Sequence, residues 1–216
     1  MLSDEVTFET SMGKLGAAVF SFDCTVKANP AWENLFSFYP WCIGQKSSFE
    51  GNQYVKKSGF IEEKLTFKSL NEIRKQLGHT HIDIFKFDIE GFEWDMIDQE
   101  IIHGVDNSSL PHQLLFELHT ERANPQYVPA HLVNGKRREQ VDRLMLNLYD
   151  LGYRLAHWEY NNGDKHCIEV CMIHLLHHSS HNSGHNSVTS HPAAYTATGS
   201  SVPRIARDHN TSGGHR

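Results

Sequence analysis

The sequence predicts an α/β fold whose mostly parallel sheet is closed by an antiparallel C-terminal hairpin, and three stretches carry that expectation. Residues 82–94, Ile-Asp-Ile-Phe-Lys-Phe-Asp-Ile-Glu-Gly-Phe-Glu-Trp, put apolar side chains on both alternating faces, the pattern of a central parallel strand covered on both sides. Helical stripes flank it, Leu70, Ile73 and Leu77 before and Phe92, Trp94, Ile97 and Ile101 after, and such alternation of helix and strand argues for α/β crossovers. Residues 153–160 and 166–175, separated by Asn161-Asn162-Gly163-Asp164, give the strongest hairpin signal in the chain.

The earlier elements follow from the same periodicities. Phe8, Met12 and Leu15 suit a short helix ended by Gly16, and residues 17–22 read as a short buried strand ending in Asp23. Residues 30–36 read as a helical turn, and 37–43 as one aromatic-rich strand closed by Gly44. A loop with a short hairpin is expected over 45–64, where Gly, Ser and Lys are frequent. Residues 112–119 form a further strand: Leu114, Phe116 and Leu118 share one face, and Glu117 and His119 emerge with Leu115 on the other. After a loop over 120–135, Val141, Leu144, Met145, Leu148 and Leu151 mark the cleanest helix, with a stripe read as core.

Composition narrows the function. Among 216 residues the net charge is −6 and no Lys/Arg run forms a basic stripe, so nucleic acid is not an expected partner. No apolar stretch approaches the roughly 20 residues of a transmembrane helix, and residues 1–5 do not resemble a signal peptide. The compartment stays open. Cys24, Cys42, Cys167 and Cys171 lack metal-ligand spacing and are expected to be buried thiols rather than disulfides, since a domain of this size needs no staple. Sequons at Asn107 and Asn210 matter only in a secreted chain. Residues 177–216 turn to Ser, His, Asn, Thr and Gly, too polar to offset ordering entropy, so a disordered and dispensable tail follows an α/β domain at 1–176. His177, His178, His181 and His185 lack Cys or carboxylate partners and are not expected to form a specific metal site.

The chemistry concentrates at the carboxyl ends of strands, where ligands bind in open α/β sheets. Asp88 and Glu90 end one strand, Glu117 and His119 end another, and Asp23 ends an earlier one. A single acid in such a turn is most simply a helix cap, and Glu117 is also placed to pair with Lys86. Yet Lys86-Phe-Asp-Ile-Glu-Gly-Phe-Glu-Trp94 resembles the fourth-strand motif of FkbM-type and related methyltransferase-like proteins. Val19-Phe-Ser-Phe-Asp-Cys-Thr25 resembles their second-strand motif, and Gly152-Tyr-Arg-Leu with Glu159, Asn161, Cys167 and Glu169 is similar to their ending.

The resemblance implies a Rossmann-like methyltransferase sheet and the cofactor S-adenosyl-L-methionine, with its ribose on Asp23. Asp88, Glu90, Glu117 and His119 would then orient or deprotonate a small-molecule or glycan-like acceptor, with methyl transfer to oxygen. The family's first strand and Gly-rich turn, central between its second and fourth strands, have no counterpart before Ala17. The expectation is therefore an N-terminally incomplete domain, and a module of the same fold that binds no cofactor stands as the alternative. Asp88 and Glu90 also suit a hard cation, a weaker reading, and no metal is expected.

Overall fold

A computed structural model describes residues 6–26, 28–44, 65–104, 109–175 and 193–198. Helix α1 (Thr7–Lys14) leads into β1 (Ala18–Phe22), and a turn of 3₁₀ helix at Pro30–Trp32 precedes β2 (Ser37–Tyr39) and β3 (Trp41–Ile43). Then come β4 (Thr66–Lys68), α2 (Leu70–Leu77), β5 (Ile84–Asp88) and α3 (Glu93–Met96), which widens into a π-helix at Ile97–Ile102. The chain continues through β6 (Gln113–His119), α4 (Ala130–Val133), α5 (Arg138–Asp150), β7 (Tyr153–Tyr160), β8 (Cys167–His174) and β9 (Ala193–Thr198).

Seven strands form the main sheet in the order β2-β1-β9-β5-β6-β8-β7. The first five are mutually parallel, and β8 and β7 close the sheet antiparallel, as the sequence predicts. The position that the resemblance leaves empty, between β1 and β5, holds β9. It pairs in parallel with both, Phe22 and Phe87 each registering with Ala197. Residues 193–198, expected to lie in a disordered tail, are thus a central strand, a correction with a backbone cause: two strand edges otherwise without partners recruit a segment of weak intrinsic preference. The rest of that tail, the loop expected over 45–64, both sequons and the tail histidines lie outside the described residues.

Two further expectations are corrected. The single strand read over 37–43 is divided at Pro40, which has no N–H to give a ladder. Ser37–Tyr39 pairs with β1 in the main sheet, whereas Trp41–Ile43 pairs with β4 in a separate two-stranded sheet. Cys24 and Cys42 form a disulfide, Cα to Cα 4.8 Å, joining the exit of β1 to β3; only Cys167 and Cys171 are free thiols.

Local signals account for the helices. Ser69 and Glu72 form a reciprocal capping box at the start of α2, and Gly78 ends it in the left-handed region. The Leu70 N–H at that end donates to Glu100 Oε2 at 2.7 Å, tying α2 to the π-helix. The stripe of α5 packs as expected: Leu144 and Leu148 are buried, with Val141, Met145 and Leu151 against the same core. That core centres on β5 and β6, where Phe85, Phe87, Leu114 and Leu118 are sealed from solvent and the rings of Phe87 and Phe116 stack at 5.2 Å. The core fixes how the polar ends of these strands face one another.

Candidate active site

Parallel pairing of β5 with β6 sets Phe87 opposite Phe116, so Asp88 and Glu117 come next in register at the carboxyl edge. His119 follows two residues on, on the same face as Glu117. Beyond Asp88 the chain turns through Glu90, which has φ +56°, and Gly91, which has φ +102°. A side chain at Gly91 would meet Val128 Cγ1 at 2.9 Å, so glycine serves there both for its backbone freedom and for close packing. Glu90 is held in a conformation that a non-glycine residue rarely adopts, a strain of the kind found at functional turns.

What holds it is Glu93. Fully buried at the first turn of α3, its carboxylate reaches back to accept the N–H of Ile89 at 2.8 Å and that of Gly91 at 2.9 Å. The same carboxylate lies 3.1 Å from His119 Nδ1. On the other side of that ring, Nε2 lies 3.6 Å from Glu90 Oε2 and 3.8 Å from Glu117 Oε2. Glu117 also accepts from Asn161 Nδ2 at 2.6 Å, so its hydrogen bond goes to the hairpin turn. Lys86, its expected alternative partner, sets its ammonium 5.8 Å from the centre of the Phe8 ring. Trp94 is buried and donates its Nε1–H to the His119 carbonyl at 2.7 Å.

Asp88, Glu90, Glu117 and His119 therefore converge as one cluster. Asp23 stands apart. Because Phe22 and Phe87 share Ala197 as partner, Asp23 and Asp88 leave the sheet at one level, two strand spacings or about 10 Å apart. Asp23 is buried, and its Oδ1 accepts from Thr25 N at 2.7 Å and from Thr25 Oγ1 at 2.6 Å. Sequence reasoning missed Glu93, whose signal was the third acid of Asp-Ile-Glu-Gly-Phe-Glu, and Cys167, which registers opposite His119 across β8.

Crowding of like charges out of water governs ionisation here. Burial first, and then the Asp88 charge, push Glu90 up to about 8 and Glu117 up to about 7. Burial likewise raises Asp88. For His119 burial alone would lower the pKa, but the Glu93 charge, hydrogen bonding to Cys167 and Glu93, and Asp88 outweigh it and raise the ring to about 12. The imidazole is thus a cation at neutral pH, while Glu90 and Glu117 titrate near it.

A carboxyl whose pKa is higher folded than unfolded binds more protons in the native state, so its contribution to stability falls as pH rises between the two values. For Glu90 that window runs from 4.5 to about 8. His119 acts in the same sense at higher pH, its contribution being lost from 6.5 toward about 12. Thermal melts in metal-free buffer are expected to show Tm falling with a shallower slope across the Glu90 window in Glu90→Gln than in the parent. Parallel curves would remove Glu90 from the buried cluster.

Among solved structures the fold is similar to the Methanococcus jannaschii fibrillarin pre-rRNA processing protein, at 8% identity and a TM-score of 0.38 over 73% of this chain and 66% of that one. It is also similar to the methyltransferase domain of bacterial CtHen1-CN, at 11% identity and a TM-score of 0.37 over 78% of this chain and 96% of that one. In sequence, 117 residues are 28% identical to the probable methyltransferase-like protein 24 of Homo sapiens, covering 54% of this chain and 30% of that protein. The chain thus spans under a third of that relative's length. Residues 23–155 match the methyltransferase FkbM domain, a span that takes in Asp23, both acidic strand ends and the turn between them, and the chain belongs to the FkbM methyltransferase family.

Proposed function

We propose that the chain is an S-adenosyl-L-methionine-dependent methyltransferase that acts on an oxygen of a small-molecule or glycan-like acceptor. The observation that carries this reading is the common level at which Asp23 and the Asp88–Glu90–Glu117–His119 cluster leave the sheet. The residues fit the cofactor at its ribose end, where a buried carboxylate, oriented by Thr25, offers the acceptor that sugar hydroxyls require. S-adenosyl-L-methionine supplies, when bound, a methyl group on a sulfonium centre.

The chain's own residues position and deprotonate. Glu90 and Glu117, raised to about 8 and about 7, are matched to proton removal near neutral pH. Protonated His119 between them holds an acceptor oxygen by donating to it. Much of the acceleration in such a displacement comes from alignment, so a strong base is not required. Among the described residues no helix is long and apolar enough to cross a membrane.

The test is calorimetric titration of the full chain with S-adenosylhomocysteine. Asp23→Asn keeps the Oδ1 that Thr25 uses but replaces one acceptor with a donor, and it is expected to weaken binding by roughly 1.5–3 kcal/mol, with Tm little changed. Equal affinity in both proteins would take Asp23 out of the site. Absence of binding by the parent would favour the non-catalytic module of the same fold.

A further inference from the structure

We propose that Asp88, Glu90 and His119 bind a first-row divalent cation of the manganese-to-zinc class, with Glu117 beside it. Binding requires neither S-adenosyl-L-methionine nor methyl transfer and is tested without either; an ion bound here would occupy the His119 Nε2 position and take the place of the protonated ring in the proposed mechanism.

Spacing is the first argument. Asp88, Glu90 and His119 offer one ligand atom each, all within 4.8 Å of one another. His119 Nε2 stands 3.6 Å from Glu90 Oε2 and 3.8 Å from Glu117 Oε2. Those separations are too long for hydrogen bonds, yet atoms bound to one ion by bonds of about 2.0–2.2 Å stand roughly 3–4 Å apart. The pairs are spread as ligands are spread.

Unmet polar capacity is the second. Asp88 Oδ1 is sealed from solvent and makes no hydrogen bond. A buried acceptor without a partner is costly, and a cation at this point would satisfy it. The orientation of the imidazole is the third. Nδ1 faces the Glu93 carboxylate at 3.1 Å, the carboxylate–histidine pairing that fixes the tautomer of metal-bound histidines and turns the other nitrogen toward the ion. Two carboxylates and one imidazole suit Mn²⁺, Fe²⁺ or Zn²⁺ better than Ca²⁺. On binding, the proton on Nε2 leaves for solvent and its lone pair bonds the ion, while Nδ1–H stays with Glu93. Uptake is therefore coupled to proton release.

The full chain, stripped with chelator, is titrated with MnCl₂ and the free ion is followed by its paramagnetic resonance. All samples carry Ser at His177, His178, His181 and His185, so that the His-rich segment does not contribute. One equivalent of Mn²⁺ is expected to bind, with a proton-release signature in buffers of different ionisation enthalpy. Glu90→Gln is expected to weaken it about tenfold or more, and Glu93→Gln, a positioning change, by about 10–100-fold. Near-ultraviolet circular dichroism of each variant keeps loss of binding distinct from loss of fold, and Asp88→Asn is the replacement where Glu90→Gln unfolds. No saturable Mn²⁺ or Zn²⁺ binding by the parent, or binding unaltered in the folded variants, overturns the site.

Discussion

A chain carrying Thr196→Pro is expected to lose about 3 kcal/mol or more of stability, with Thr196→Ala far closer to the parent. Thr196 registers with Ser21 on one side and Lys86 on the other, so its N–H belongs to a ladder inside the sheet. Proline removes that donor and forces its ring against a neighbouring strand. Ending the chain at Leu175 goes further, because β1 and β5 would then face each other across a gap about two strand spacings, or roughly 10 Å, wide, with the inner backbone groups of both unpaired. Urea titration is expected to show no cooperative transition for that truncation. A Thr196→Pro loss under about 1 kcal/mol would place residues 193–198 outside the sheet.

The second large effect belongs to Phe87. Its ring is completely buried, stacked on Phe116 at 5.2 Å and tilted against Phe85 at 5.0 Å. Phe87→Ala is expected to cost about 3–5 kcal/mol, the transfer of the ring plus the cavity it leaves. It sits one residue before Asp88, so the cavity also loosens the strand end that carries the site. A loss under about 1 kcal/mol in urea would show that this ring is not packed as described.

Where the chain's local pattern and its tertiary environment agree, the fold was legible. The strand ending at Asp88 seals Phe85 and Phe87 on one face and leaves Ile84, Lys86 and Asp88 half-buried on the other, and the stripe of α5 is apolar because it is core, so periodicity located both. The closing hairpin was legible because Asn-Asn-Gly-Asp is turn chemistry: Asn161 Oδ1 accepts from Gly163 N at 2.7 Å and Asp164 Oδ1 from His166 N at 2.9 Å. Strand ends pointed to Asp23, Asp88, Glu90, Glu117 and His119, and the structure gathers four of the five.

What escaped was non-local. Ala-Ala-Tyr-Thr-Ala-Thr carries little apolar area of its own, and its place comes from two strands far away in sequence. Pro40 was read as one residue within a strand, yet it decides which sheet each half joins. Cys24, just past β1, and Cys42, within β3, meet through the tertiary placement of two strands in different sheets, a proximity that no spacing rule encodes. Glu93 read as a first-turn acid, favoured there by the helix dipole alone. Only the reverse turn at Glu90 brings the backbone donors within its reach.

The insertion of β9 also sets an order on folding. Ala18 pairs with Ala193, so one of the earliest strands waits for nearly the whole chain before its inner edge is covered. Contacts between β5 and β6, or β7 and β8, close over shorter loops and can form while the rest is extended. During synthesis the amino-terminal strands therefore pass through a stage with open edges, the condition that invites pairing with other chains. β9 enters between two strands far from it in sequence, a long-range closure that a sheet built in chain order would not have.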